Sequence, residues 1–222
     1  MAKPPVSAVI FDLDGTLIDS KDVMRGAYFQ AYQEIVGDDD APPFDEYCRH
    51  LGRSFPEIMR RMGLPAAMHA VFVRESISNM HKIRLFDGVA AMLGELARRQ
   101  VPLAIATGKD YARTCSILAC LGLDQHFRMV VGSDNVSQPK PAPEMALTIA
   151  GKLGLDCAST LFVGDAIADL QCGQRAGMQT ALAMWDCPSL DTLRHPADFR
   201  FDSPDQILST LRVDLHANLV VS

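Results

Sequence analysis

Through the middle and carboxyl-terminal parts of the chain, short continuous apolar runs alternate with segments whose apolar positions recur every three or four residues. In "VAAMLGELARRQ", residues 89–100, Val89, Leu93, Leu96 and Ala97 share one helical face. "PLAIATG" then runs apolar into Thr107 and Gly108, and "DYARTCSILACLG" returns to the helical period. "MVVG", "TLFVGD" and "QTALAM" have strand length, and "ADLQCGQRAG" reads as helix. Near the amino terminus, "AVIFDLDGTL" opens on another such run. Strands that are continuously apolar, rather than alternating, are buried on both faces. A strand followed each time by a helix builds a parallel sheet with helices on either side. The pattern predicts an α/β fold.

Residues 20–84 break that rhythm. They hold no comparable strand run, but "VMRGAYFQAYQEI" and "AAMHAVFVRESISNM" carry helical periodicity, which predicts an all-helical insert directly after the first strand. Within it, "SFPE" offers a capping box from Ser54 and Glu57, and the acidic "GDDDAPP" reads as a solvated loop between helices. Near the end, "SPDQIL" offers a second box, with Ser203 as N-cap, Pro204 at the first helical position and Gln206 reaching back.

Composition changes this picture little. A chain of 222 residues, 48% hydrophobic and 22% charged, is long enough to bury a core and shows no repeat or low-complexity tract. Its net charge of -6 is a poor basis for holding DNA or RNA, so no nucleic-acid partner is expected. No segment approaches the roughly 18 apolar residues of a membrane span, and the first apolar stretch is too short for a signal peptide. The cysteines at 48, 115, 120, 157, 172 and 187 are scattered without close pairs, which reads as buried free thiols in a cytoplasmic protein.

Chemistry collects at the predicted strand ends, where open parallel sheets bind their ligands. The first strand delivers Asp12 and Asp14, "PLAIA" delivers Thr107 and Gly108, "TLFVG" delivers Asp165 with Asp169 four residues on, and the loop after "MVVG" leads to Lys140. Each has a plainer reading. Thr107 and Gly108 suit a helix cap, Asp165 and Asp169 suit a helix start, and a lone lysine is ordinarily solvated. Lys140 is set apart by "QPKPAPE", where Gln138, Lys140 and Ala142 each precede a proline and are biased to extended geometry. That stiff strut enters a helix near Pro143, which would put the lysine by a positive helix end, a doubled anion site. Asp12 and Asp14 would crowd one side of an extended chain. A hard divalent cation shared with Asp165 would relieve their repulsion, and Mg²⁺ prefers such oxygen ligands.

In this order the motifs resemble those of the haloacid dehalogenase superfamily: "FDLDGT", then "ATG" at Thr107, then Lys140 in "PKPAPE", then "GDAIAD" at Asp165 and Asp169. The insert resembles the helical cap of the phosphoglycolate phosphatase and β-phosphoglucomutase branch. The resemblance implies a Rossmann-like core from residues 1–19 and 85–222 under a helical cap from residues 20–84. It also implies a Mg²⁺-dependent phosphatase that hydrolyses a small phosphorylated metabolite through an aspartyl-phosphate. Asp12 would be the nucleophile and Asp14 the general acid and base, with Thr107, Gly108 and Lys140 on the phosphoryl oxygens. Asp12, the Asp14 backbone carbonyl and Asp165 would hold the metal, with Asp169 ordering its waters or Lys140. Arg53 sits where cap loops of relatives approach the site and could clamp an anionic tail; Lys109 is ambiguous.

Asp14 separates the chain from dehalogenase members, which lack this second acid. A mutase is disfavoured because Met24 stands where a cap histidine is expected. A phosphonate-cleaving role is disfavoured because only Lys21 and Lys82 lie near the cap hinges. A phospho-accepting signalling module gathers similar residues on a parallel sheet, but the cap weighs against it. A scaffold that has lost catalysis is the third alternative, against which the complete motif set argues.

Overall fold

The computed structural model describes residues 3–37, 40–186 and 189–211. The chain starts with β1 (Ala8–Phe11) and β2 (Ile18–Asp19), then enters α1 (Lys21–Ile35), α2 (Phe44–Cys48), α3 (Phe55–Met62) and α4 (Met68–Ser78). It leaves them through β3 (Arg84–Leu85). From there strands and helices alternate: α5 (Val89–Arg98), β4 (Leu103–Ala106), α6 (Tyr111–Cys120), β5 (Met129–Val131), α7 (Glu144–Leu153), β6 (Thr160–Gly164) and α8 (Ile167–Arg175). The series ends with β7 (Gln179–Ala183), α9 (Leu190–Arg194) and β8 (Phe199–Phe201).

Six strands form one sheet in the order β5-β4-β1-β6-β7-β8, parallel at every pairing. The continuous apolar runs explain why: every residue of β1, β4, β6 and β7 is buried, so helices must cover both faces. Val9, Phe11, Ile105 and Val163 face α5 and α6, whereas Ile10, Ala104 and Phe162 face Met145 and Ile149 of α7 and Cys172 of α8. Each such large side chain contributes about 1.5–3 kcal/mol on burial.

The insert packs on itself. Met24, Ala27, Tyr28, Ala31 and Tyr32 make one face of α1 and meet Phe44, Tyr47, Phe55, Met59 and Phe72 in a separate aromatic-rich cluster. Antiparallel pairing of β2 with β3 ties its two ends together. A helix bundle with its own core can move against the sheet as a unit.

Several local expectations need correction. Ser54 makes no side-chain capping bond, and the Glu57 carboxylate pairs with Arg60 and Arg61 at 2.9 and 2.7 Å instead of reaching back to it. The 203–206 motif forms a 3₁₀ turn (Pro204–Thr210) in which Gln206 accepts from the Asp202 N–H at 2.9 Å and Ser203 donates to Asp205. Of the cysteines, Cys172 alone is buried among the described residues. Cys48, Cys115 and Cys157 are half-buried, Cys120 is exposed, and all five are unpaired. Asp38 and Asp39 of the acidic loop, and Cys187, lie outside the described residues. No helix among the described residues is long and apolar enough to cross a membrane.

Candidate active site

The carboxyl ends of β1, β4 and β6 are neighbours in the sheet, so Asp12, Thr107 and Asp165 emerge side by side. Asp12 follows β1 directly, its N–H donating to Val163 at 2.9 Å, which prolongs the ladder by one residue. The chain then turns sharply, with Leu17 and Ile18 N–H both donating to the Leu13 carbonyl. Gly15 sits in this turn at φ +82, and a side chain there would also run into the Asp165 carboxylate. Thr16 reaches the same carboxylate, donating to Oδ1 at 3.1 Å.

Lys140 is 2% exposed and is not the solvated lysine of the plainer reading. Its ammonium donates to Asp12 Oδ1 at 2.8 Å, Asp169 Oδ1 at 2.6 Å and the Ala106 carbonyl at 2.9 Å. It therefore joins the ends of β1 and β4 to α8 and neutralises two acids at once. The two carboxylates hold its pKa above the usual lysine range, against a burial that alone would lower it. Asp169 accepts from the Ala166 N–H through Oδ2 at 3.0 Å, so it caps α8 and anchors Lys140 together. Thr107 does not cap α6; Asp110 does, accepting from the Arg113 N–H at 2.9 Å.

Carboxylate oxygens of Asp12, Asp165 and Asp169 all lie within 4.8 Å of one another. Three acids face one lysine there. Burial, with Asp169 adding its repulsion, pushes the Asp12 carboxyl up to about 7 despite Lys140. Burial and repulsion from Asp169 and Asp12 hold Asp165 well above the usual range. An all-oxygen cluster with unrelieved negative charge suits a hard divalent cation.

The Asp14 carboxylate is not part of that cluster. Lys109 lies 3.0 Å from its Oδ2, and Ser20 donates to Oδ1 at 2.5 Å. The crowding expected of Asp12 and Asp14 is thus met in part by two lysines, one for each acid. Ser20 and Thr16 escaped the sequence reading, since a serine before a helix signals a cap; Lys109 was legible only as a neighbour of Thr107 and Gly108.

Insert and sheet close over these groups. Asp12, Asp14 and Thr107 line a cavity of roughly 30 Å³ with Met24, Tyr47 and Phe72 from the insert. That is space for one or two waters. Arg53 is half-buried at its rim, and its backbone carbonyl packs against Gly108 so closely that a side chain at Gly108 would collide with it. A wider cleft of about 740 Å³ runs from Asp165 between Lys21, Arg49 and Asp186.

The family profile described as haloacid dehalogenase-like hydrolase matches residues 9–183. A probable phosphatase, IndB, of Dickeya dadantii is 31% identical, the match covering 84% of this chain and 84% of that one. A phosphoglycolate phosphatase of Cupriavidus necator is 31% identical over 82% of each chain. The crystal structure of a hydrolase from Pseudomonas syringae superposes with a TM-score of 0.80 at 24% identity, over 91% of this chain and 96% of that one.

Proposed function

The chain belongs to the haloacid dehalogenase-like hydrolase family, and on that premise we propose that it is a Mg²⁺-dependent phosphatase acting on a small phosphorylated metabolite. The observation that carries this reading is the convergence of Asp12, Lys140, Asp165 and Asp169 at the carboxyl ends of β1 and β6, beside Thr107 from β4. Residues 20–84 serve as a cap over a core of residues 1–19 and 85–222, and the protein works in the cytoplasm, in keeping with its unpaired thiols.

Asp12 attacks phosphorus, forming an aspartyl-phosphate as the bond to the ester oxygen breaks. Asp14 gives that oxygen its proton, then takes one from the water that attacks the aspartyl-phosphate, and inorganic phosphate leaves. Thr107, the Gly108 backbone and Lys140 hold the phosphoryl oxygens, while Asp169 keeps Lys140 aimed at them. Asp12, Asp165 and the Asp14 backbone carbonyl would hold Mg²⁺, which would supply charge neutralisation for the transferring group. Closure of the insert excludes bulk water and limits substrates to small molecules. Phosphoglycolate, named for the relative from Cupriavidus necator, is of that size.

The test is phosphate release from p-nitrophenyl phosphate with Mg²⁺, with and without EDTA. Repeated turnover that stops on chelation is expected. One phosphoryl group retained per chain without turnover would instead identify a phospho-accepting signalling module.

A further inference from the structure

Arg113, in the first turn of α6, is 5% exposed, yet its Nε and Nη1 make no hydrogen bond. Its one ion pair among the described residues joins Nε to Asp110 Oδ2 at 3.0 Å, without hydrogen-bond geometry; Asp110 uses Oδ1 to cap the helix. The guanidinium carbon lies 5.5 Å from the centre of the Phe72 ring, so the insert covers it. A buried cation with unmade hydrogen bonds is costly, and a bound group that completes them is one of the few reasons native structures keep one.

Arg113 lines the same cavity as Asp12, Asp14 and Thr107. The two lysines near these acids are ion-paired with them, Lys140 with Asp12 and Asp169, and Lys109 with Asp14. Arg113, beside them, is the deeply buried cation whose Nε and Nη1 make no hydrogen bond. A guanidinium presents them in a planar fork that matches a carboxylate or a phosphate.

We infer that Arg113 receives a second anionic group of the substrate, a carboxylate or a phosphate, and so selects short doubly anionic phosphate compounds over neutral esters. This rests on the phosphatase reading. It makes Arg113 a specificity-determining residue rather than part of the bond-breaking machinery. The cavity that Arg113 shares with Asp12 and Asp14 is small, roughly 30 Å³, so the insert must open to admit a substrate, and a short one fits best beneath it.

The experiment compares kcat/KM for phosphoglycolate, inorganic pyrophosphate and ethyl phosphate in the wild type, Arg113→Met and Arg113→Lys. Ethyl phosphate keeps the ester and removes the second anion. Loss of the arginine charge also disturbs Asp14, but phosphoglycolate and ethyl phosphate both release an alkoxide and share that effect, so their ratio isolates the proposed contact, and Arg113→Lys, which keeps the charge, supplies the same control for pyrophosphate. We expect a wild-type preference for phosphoglycolate or pyrophosphate that falls roughly 30-fold in Arg113→Met and by less in Arg113→Lys. Which of the two substrates shows the fall distinguishes a carboxylate from a phosphate partner. A wild-type ratio near one, or a ratio unchanged in folded Arg113→Met and Arg113→Lys, overturns the inference while leaving the phosphatase reading intact. Absence of turnover on all three compounds overturns the inference, and absence on p-nitrophenyl phosphate as well overturns both.

Discussion

The ammonium of Lys109 lies 3.0 Å from Oδ2 of Asp14, and the Ser20 hydroxyl closes the other side of the carboxylate at 2.5 Å from Oδ1. Burial alone would raise Asp14, yet Lys109, Ser20 and Arg113 together hold it below the usual carboxylate range. An ionised Asp14 is the form that takes a proton from water in the second half of the proposed reaction; to serve the leaving oxygen in the first half it must first take up a proton, which a negatively charged substrate phosphate beside it favours. Lys109→Met removes the nearest positive charge, so the pKa of Asp14 rises. The acid limb of the kcat profile should then move to higher pH by about 1–2 units. A limb that stays in place in Lys109→Met would separate the lysine from proton transfer.

The candidate site residues at the sheet edge were legible because their placement follows from strand ends. β1, β4 and β6 announce themselves as uninterrupted apolar runs, so Asp12, Thr107 and Asp165 had to emerge at one edge of a parallel sheet. β8 was not legible, since Phe199–Phe201 is a three-residue edge strand buried only at Phe201. β2 and β3 are two residues each, below any periodicity. Arg113 was missed because a charged residue in a helical pattern reads as solvent-facing until the partner helix, here α4 with Phe72, is known to lie across it. The Glu57 half of the Ser54 box failed for a related reason: two arginines one turn ahead compete for its carboxylate, and the sequence does not say which attraction prevails.

Asp12 and Asp14 should fail differently when changed. Asp12→Asn removes the attacking oxygen and should abolish phosphate release from every ester. Asp14→Asn should slow hydrolysis of an alkyl phosphate roughly 10²–10⁴-fold, because its leaving alkoxide needs a proton. p-Nitrophenolate leaves without one, so turnover of that ester should drop far less in the first step. Parallel rate measurements on the two esters decide it, and equal losses would remove Asp14 as leaving-group acid.

Metal binding should show in the pH dependence of stability. Without a cation, Asp12 is raised to about 7 and Asp165 is raised as well, mainly by burial. A carboxyl whose folded pKa exceeds its unfolded value near 3.8 binds its proton more tightly in the native state. Stability then falls as pH climbs from about 4 to about 7 and levels above that. Mg²⁺ binds the ionised acids, so its stabilisation should be small at pH 5 and large at pH 8, raising Tm by roughly 5–10 °C at saturating concentration. Melting curves with Mg²⁺ or EDTA at both pH values provide the check, and identical curves at pH 8 would rule out a cation on this cluster.

Gly108 tests whether the closed insert matters. A Cβ at this position would meet the backbone carbonyls of Arg53 and Gly52, which cannot rotate aside as a side chain could. The insert has its own hydrophobic cluster, so the collision in Gly108→Ala is relieved by displacing residues 52 and 53 together with their helices, not by unravelling the sheet. Activity should therefore suffer more than stability: kcat/KM falls roughly 10-fold or more as closure is lost, while Tm drops by less than about 4 °C. Gly151 supplies the control, since it lies inside α7 with nothing within 4 Å of an added Cβ. Gly151→Ala should leave activity alone and stabilise the helix by about 0.5–1 kcal/mol. If Gly108→Ala and Gly151→Ala gave the same kcat/KM, the contact between Gly108 and the Arg53 backbone would have no part in forming the closed site.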